Sequence, residues 1–190
     1  MTIRACLAAL GLASSAACAA VQAVPQPNPT TEGQITAYLG QRSLDDDDWH
    51  PVDDQLTVGV EYAQERMSNP IGWEVGLMAS KDEGHVAGSD VEGHTSEVYG
   101  GIHKTFGSDT LRPYVGAGLA VIRASVEGPG PDDDDASAAA YAHGGISFAL
   151  SDEMRLGLDL RFLFGSDIEL NGFDTDADYI QLAVGLAFGF

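Results

Sequence analysis

The stretch that decides the fold is the last one, Tyr179-Ile180-Gln181-Leu182-Ala183-Val184-Gly185-Leu186-Ala187-Phe188-Gly189-Phe190. Ile180, Leu182, Val184, Leu186, Phe188 and Phe190 share one parity, whereas Tyr179, Gln181, Ala183, Gly185, Ala187 and Gly189 share the other. Side chains alternate faces every residue in a strand and recur every 3.6 residues in a helix. This segment therefore reads as a strand with one large apolar face and one small or polar face. The segment before it repeats the scheme, with Met154, Leu156, Leu158, Leu160, Phe162 and Phe164 against Arg155, Gly157, Asp159 and Arg161. Toward the N-terminus the same period marks residues 34–43, 56–66, 72–81, 95–106, 111–126 and 138–150. The result is eight strands of about ten residues or slightly more, a length that crosses a bilayer when tilted.

The connections alternate as the strands do. Met67-Ser68-Asn69-Pro70, Gly107-Ser108-Asp109-Thr110 and Ser151-Asp152-Glu153 are short, while residues 44–55, 82–94, 127–137 and 165–176 are long and acidic. Short turns at one end and long loops at the other are the pattern of an outer-membrane barrel. The expected fold is all-β, an eight-stranded antiparallel up-and-down transmembrane β-barrel over residues 34–190. An even strand number puts both ends of the barrel on the short-turn side, read as periplasmic, with the long loops extracellular.

A soluble eight-stranded barrel shares this periodicity but buries its apolar stripe inside. Charge placement separates the two. With the Leu/Phe stripe outward, Glu61, Glu74, Glu97, His103, Arg112, Tyr114, Tyr141, His143, Arg155, Asp159, Arg161 and Gln181 all point into the barrel. The opposite choice would put arginines in lipid, at roughly 2–4 kcal/mol each near mid-bilayer. Lys104 and Arg123 fall on the outer parity but near strand ends, where long side chains reach the head groups. Most strand glycines fall on the inner parity and leave room for large polar side chains. Outward Trp73, Phe106, Phe162, Phe164, Phe188 and Phe190 would form the interfacial aromatic girdles.

Composition agrees with this division. The 190 residues carry 9 Lys+Arg against 29 Asp+Glu, a formal charge of −20, yet 44% are hydrophobic. So acidic a chain lacks the basic footprint a polyphosphate needs, which excludes nucleic acid as a partner. Its apolar share is too large for a disordered chain. Beyond the first 24 positions no apolar run of about 18 residues occurs, so no membrane-spanning helix is expected. Residues 1–23 read as a signal peptide, with Arg4 at its start, an apolar stretch from Ala5 to Ala20 and Val21-Gln22-Ala23 as the cleavage motif. A lipidated Cys18 is the alternative, although Ser15 stands where such sites want Leu. Both cysteines, Cys6 and Cys18, lie in this leader, so the mature chain carries no disulfide. Residues 24–33 read as a flexible periplasmic tether.

The terminal Gly185-Leu186-Ala187-Phe188-Gly189-Phe190 resembles the C-terminal β-signal of the small eight-stranded outer-membrane β-barrel family, of OmpA-domain, OmpX and opacity-protein type. Val58-Gly59-Val60-Glu61-Tyr62 and Leu111-Arg112-Pro113-Tyr114-Val115-Gly116-Ala117-Gly118-Leu119 are further phrases of that kind. The resemblance covers residues 34–190 and departs from the signal at Ala183, where a polar residue is usual. It implies that the barrel-assembly machinery reads the last strand through Gly185, Phe188 and Phe190. It also implies outer-membrane lipid and lipopolysaccharide as surroundings; no peptidoglycan-binding domain is expected after the last strand. That architecture hosts many functions, so activity does not follow from it.

Three sets of residues could carry chemistry. In the lumen, Glu61, Glu74, Glu97 and Asp159 face Arg112, Arg155, Arg161 and Arg42; because eight strands leave an interior that side chains fill, an ion-pair plug is expected. A gated ion path, hence a small porin-like channel, is the alternative. Enzyme chemistry is not expected. His143 and Ser147 share parity but lie four residues and roughly 13 Å apart along a strand, too far for a base and its nucleophile. His50 among Asp47, Asp48, Asp53 and Asp54 is a crude rim-hydrolase match. The long loops hold six, four, five and four acids in turn, and Asp178 at the edge of the last strand brings the rim to 20 of the 29 acids. Such a rim suits solvation or divalent cations, which prefer carboxylate oxygens. Asp174, Asp176 and Asp178 imitate the start of a calcium loop, but Tyr179 replaces the required Gly. No cofactor is expected.

Overall fold

The computed structural model describes residues 31–45, 49–66, 69–86, 88–107, 110–128, 133–170 and 172–190. Eight strands form a closed barrel: β1 (Thr31–Leu44), β2 (Asp54–Arg66), β3 (Asn69–Val86), β4 (Ser89–Thr105), β5 (Leu111–Glu127), β6 (Asp133–Ala149), β7 (Met154–Phe164) and β10 (Tyr179–Gly189). Each is antiparallel to its neighbours, and β10 closes the ring on β1 from Gln34↔Gly189 to Leu44↔Tyr179. Gly33 N donates to Phe190 O at 3.0 Å and Phe190 N to Gly33 O at 2.9 Å, which extends that seam to the last residue. Two three-residue strands, β8 (Ile168–Leu170) and β9 (Phe173–Thr175), pair as a separate hairpin in the last long connection.

The parity read from the sequence is the parity of the wall. Leu119, Leu182 and Val98 are 72%, 59% and 55% exposed, while Arg161 and Gln181 are completely buried. Large apolar side chains facing out and charges facing in are stable only if the outer medium is lipid, where a closed ring leaves no unpaired backbone edge. Eleven residues of β10, at about 3.4 Å rise and about 40° tilt, climb roughly 26 Å, matching an apolar band of about 25 Å. Trp73, Phe106, Phe148, Phe188 and Phe190 mark its short-turn border, and Phe162 and Phe164 the other; all are exposed.

Close interior packing depends on glycine at particular points. Gly101 and Gly118 face each other across β4 and β5. A Cβ on Gly118 would collide with the carbonyl of Gly100 and the Cα of Gly101, backbone atoms that cannot rotate away. A Cβ on Gly76 would strike the Tyr99 phenol.

The structure departs from expectation at the long loops. β3 and β4 pair up to Val86↔Ser89, and β5 and β6 up to Val126↔Asp133. Most of the second and third long connections is therefore strand. Above the bilayer both sheet faces are wet, so the hydrogen-bonded ladder continues while the apolar alternation that reports it disappears. β1 likewise begins at Thr31, so the last three residues of the expected tether belong to the barrel. The signal peptide, residues 1–23, and the rest of the tether lie outside the described residues.

Candidate functional site

The lumen is built in layers, starting from an apolar lid at the long-loop end. Trp49 and Val52, from the β1–β2 connection, and Ile168, Leu170 and Ala177, from the β7–β10 connection, are all buried. Trp49 Nε1 donates to the Asp176 carbonyl at 2.7 Å, which ties the two connections together. Asp178 folds the second one inward, its carboxylate accepting from Gly165 N, Ser166 N and Ser166 Oγ at 2.7–2.9 Å. Glu169 N and Asp167 N donate to Asp135 Oδ2 and Ser137 Oγ, both at 2.9 Å, and hold the β8–β9 hairpin against β6.

Beneath the lid lies a layer of neutral hydrogen bonds. Ser80 Oγ donates to Gln55 Oε1 and lies equally close to Thr95 Oγ1, both at 2.5 Å. Arg42 joins this layer to the charges below. Its Nη1 donates to Thr95 Oγ1 at 2.7 Å, and its Nε and Nη2 both donate to Gln181 Oε1, at 3.1 and 2.9 Å.

A column of alternating charge then runs down the barrel. Arg42 lies 3.5 Å from Glu97, Glu97 3.6 Å from Arg161, and Arg161 3.5 Å from Glu61. Aromatic rings sheath the cations: Arg42 lies 3.8 Å over Tyr179, and Arg161 lies 3.9 and 4.6 Å over Tyr99 and Tyr141. The phenols hold the anions. Tyr179 donates to Glu97 at 2.8 Å, Tyr99 to Glu61 at 2.9 Å and Tyr141 to Glu74 at 2.6 Å. Buried charges need partners: each of these carboxylates is paired and hydrogen-bonded, while Arg161 is held by its ion pairs and ring faces without a hydrogen bond.

The column ends in two histidines. His143 Nδ1 faces Asp159 Oδ2 at 2.9 Å and its Nε2 faces Glu74 Oε1 at 3.0 Å. His103 Nε2 faces Glu65 Oε1 at 2.9 Å, and its Nδ1 lies 3.6 Å from Glu74 Oε2. Here the lumen widens into a cavity of about 70 Å³, lined by Glu61, Glu74, His103, His143, Arg112 and Tyr114, among others, and situated at the short-turn end.

Six of the eight expected lumen charges meet in this column: Arg42, Glu61, Glu74, Glu97, Asp159 and Arg161. Arg112 and Arg155 do not, because each stands one residue into its strand at the short-turn end. Arg112 lies 3.3 Å from Glu32, and Arg155 donates to Ser147 Oγ and O at 3.1 and 3.3 Å. The two histidines take their place. Sequence parity puts both histidines inside the barrel without indicating their pairing with carboxylates. Ser147 Oγ is bound to the Arg112 carbonyl at 3.3 Å, separate from His143, which its two carboxylates occupy. At the rim, His50 lies 3.8 Å from Asp53 and His85 2.7 Å from Asp90. Asp174 is exposed on β9, Asp176 gives its carbonyl to Trp49 and Asp178 anchors Gly165 and Ser166. Among the described residues, the group whose donor atoms all lie within 4.8 Å of one another, as an ion would require, is Glu61, Glu74 and His143. Phe188 of β10 and the following Phe190 face outward, while Gly185 faces inward against the Tyr38 ring.

Rim groups outside the lipid show ordinary surface electrostatics. Lys81 lies 2.7 Å from Glu92 and 3.0 Å from Glu83. The hydrogen bond from Lys81 holds the Glu92 carboxyl below the usual range, and the same contact raises the Lys81 ammonium.

Solved structures of outer-membrane barrels superpose on this fold. Neisserial surface protein A aligns with a TM-score of 0.60 at 17% identity, over 87% of this chain and all of that one. Ail, the attachment invasion locus protein of Yersinia pestis, solved with the heparin analogue sucrose octasulfate, gives 0.62 at 12% identity, over 85% of this chain and all of that one. A major outer membrane protein of Thermus thermophilus gives 0.57 at 13%, over 85% and 100%. At such identities the likeness shows the fold alone. Comparison with curated protein sequences gives no match. The model of the outer membrane protein beta-barrel domain matches residues 5–188, nearly the whole sequence. By that match and by its closed eight-stranded wall, the chain belongs to the outer membrane protein beta-barrel domain family and is an integral outer-membrane protein.

Proposed function

We propose that this protein acts through its surface and not as a conduit, in membrane integrity, adhesion or protection. In this reading the short turns and both ends of the barrel face the periplasm and the long acidic loops face outward. The observation that carries it is the double closure at the long-loop end, where the Trp49–Ile168 lid covers the Gln55–Ser80–Thr95–Arg42 layer. An ion crossing there would have to shed its water and break a hydrogen-bonded buried network, a large desolvation penalty.

The rim sets the kind of partner. Ail is solved with a sulfated polyanion. Here the long-loop rim carries 20 of the chain's 29 acids, which repel such a ligand and favour cationic surfaces. Divalent cations bridging these carboxylates to lipopolysaccharide phosphates fit the same chemistry. The barrel-assembly machinery would read β10 and the Phe190 that follows it, with Phe188 and Phe190 facing outward at the seam.

Planar-bilayer recording of the purified barrel tests the closed reading. No sustained conductance is expected; steady single-channel current would overturn it in favour of a small passive channel. Protease protection on intact cells tests the orientation, with cleavage at the long loops expected and cleavage confined to the short turns refuting it.

A further inference from the structure

We propose that the short-turn cavity is a transition-metal site, in which Glu61, Glu74 and His143 bind a borderline divalent ion such as zinc and His103, beside Glu74, closes in to complete the set. This rests on geometry at the base of the charge column and is independent of what the rim does.

The donor set is mixed nitrogen and oxygen, the kind that zinc takes in four-coordinate sites. Bonds of about 2.0–2.1 Å in a tetrahedron place neighbouring donors roughly 3.3 Å apart. Glu74 Oε2 lies 3.2 Å from His143 Nε2 and 3.6 Å from His103 Nδ1, one on either side of that value. Glu61 brings a second carboxylate within 4.8 Å of Glu74 and His143. Two buried carboxylates this close repel each other, and a dication between them removes the repulsion.

The outer shell is already built. A metal-binding imidazole usually gives its other nitrogen to a carboxylate, which fixes ring and tautomer. Both histidines do so: Asp159 holds His143 Nδ1 at 2.9 Å, and Glu65 holds His103 Nε2 at 2.9 Å. Tyr99 and Tyr141 steady the two ligand carboxylates by donating to Glu61 and Glu74.

His103 supplies an independent pointer. Its side chain is more than nine-tenths buried, and its Nδ1 makes no hydrogen bond. Nδ1 faces Glu74 Oε2 at 3.6 Å, so an ion placed between them would gain both as ligands. The cavity beside them, about 70 Å³, holds several waters at about 10–15 Å³ each, or an ion with its aqua ligands.

The test is titration of the chelator-treated, detergent-solubilised full barrel with Zn²⁺ by calorimetry. Co²⁺ then serves as a spectroscopic probe, because four-coordinate cobalt absorbs strongly in the visible and carboxylate-only rim sites do not. One tight equivalent and an intense cobalt spectrum are expected. His143→Asn and His103→Asn should each weaken binding at least 100-fold, and Asp159→Asn about 10- to 100-fold. Asp174→Asn/Asp176→Asn at the rim should leave the tight equivalent unchanged. Heat-modifiable gel migration checks that each variant is folded; should His143→Asn not fold, His103→Asn at the cavity edge decides alone. Absence of a tight equivalent in the parent barrel, or its full retention in folded His103→Asn, overturns the proposal. Neither result depends on conductance, so this test and that of the closed lumen fail separately.

Discussion

Arg42→Met tests whether the charge column holds the barrel together. Arg42 is fully buried, and its guanidinium makes three hydrogen bonds to Gln181 and Thr95 at 2.7–3.1 Å. It also lies 3.5 Å from Glu97. Methionine keeps most of the volume, so the loss is mainly polar: Gln181 Oε1 loses its donors and Glu97 one of its two cations. Removing one partner of a buried pair costs about 3–5 kcal/mol, and we expect about 4. Glu97→Gln should cost a similar amount, because it leaves Arg42 and Arg161 without the anion between them. At an effective dielectric of about 20, unit charges 3.5 Å apart attract by roughly 5 kcal/mol, an upper bound on the coupling. The double variant removes the pair together, so it should cost about 5 kcal/mol, with a coupling near 3. Urea unfolding in phospholipid vesicles, followed by tryptophan fluorescence and gel migration, measures all three. Single costs that add to the double within about 0.5 kcal/mol, or a cost under about 1 kcal/mol for Arg42→Met, would refute the column as the source of stability.

Other expectations follow from single positions. Leu182→Arg places a cation on the lipid face of β10 and should cost roughly 2–4 kcal/mol in the same vesicle assay, whereas Leu182→Val should cost under about 1.5. Gly118→Val should abolish folding, seen as loss of the heat-modifiable band, while Leu119→Val, on the exposed face, should fold normally. Trp49→Ala should cost about 3–5 kcal/mol by emptying the lid, yet produce no current in planar bilayers, because the polar layer beneath remains. Glu92, held low by Lys81, favours the folded rim above the ordinary carboxyl range. That contribution should disappear only as pH falls through the lowered value, as a carboxyl titration by NMR would show. Being exposed, the pair should contribute under about 1 kcal/mol.

The wall is legible because lipid imposes a strict rule on alternate residues. Leu156, Leu158 and Leu160 must face hydrocarbon, and Arg155, Asp159 and Arg161 cannot, so period and charge give strand, face and strand number together. The rule ends where the lipid ends. Residues 82–94 lose their alternation and read as a loop, although backbone pairing carries β3 and β4 on to Val86 and Ser89. The lid is hidden for another reason. Trp49, Val52, Ile168 and Leu170 lie singly among acids, and only the fold brings the first and last long connections into contact. Within the lumen, parity identifies who faces inward but not at what height. Arg112 and Arg155 therefore look interchangeable with Arg42, although each sits at the short-turn rim, away from Glu97.

The charge of −20 is distributed between two electrostatic regimes, and ionic strength distinguishes them. Inside, Arg42, Glu97, Arg161 and Glu61 alternate at 3.5–3.6 Å in a buried column, which a closed lumen would keep from salt. At the rim, β3 to β6 carry acids above the lipid: about 17 residues at the same rise and tilt climb roughly 40 Å, so about 15 Å of acidic sheet stands clear of the apolar band. There repulsion acts through water and is screened within about 10 Å at 0.1 M salt. Raising salt from about 0.01 to 0.15 M should therefore stabilise the parent barrel by relaxing the rim. The same increase should leave the Arg42–Glu97 coupling unchanged within about 0.5 kcal/mol. A coupling that fell in parallel with screening would mean that water reaches the column. It would undo the closed lumen even in a barrel that passes no measurable current.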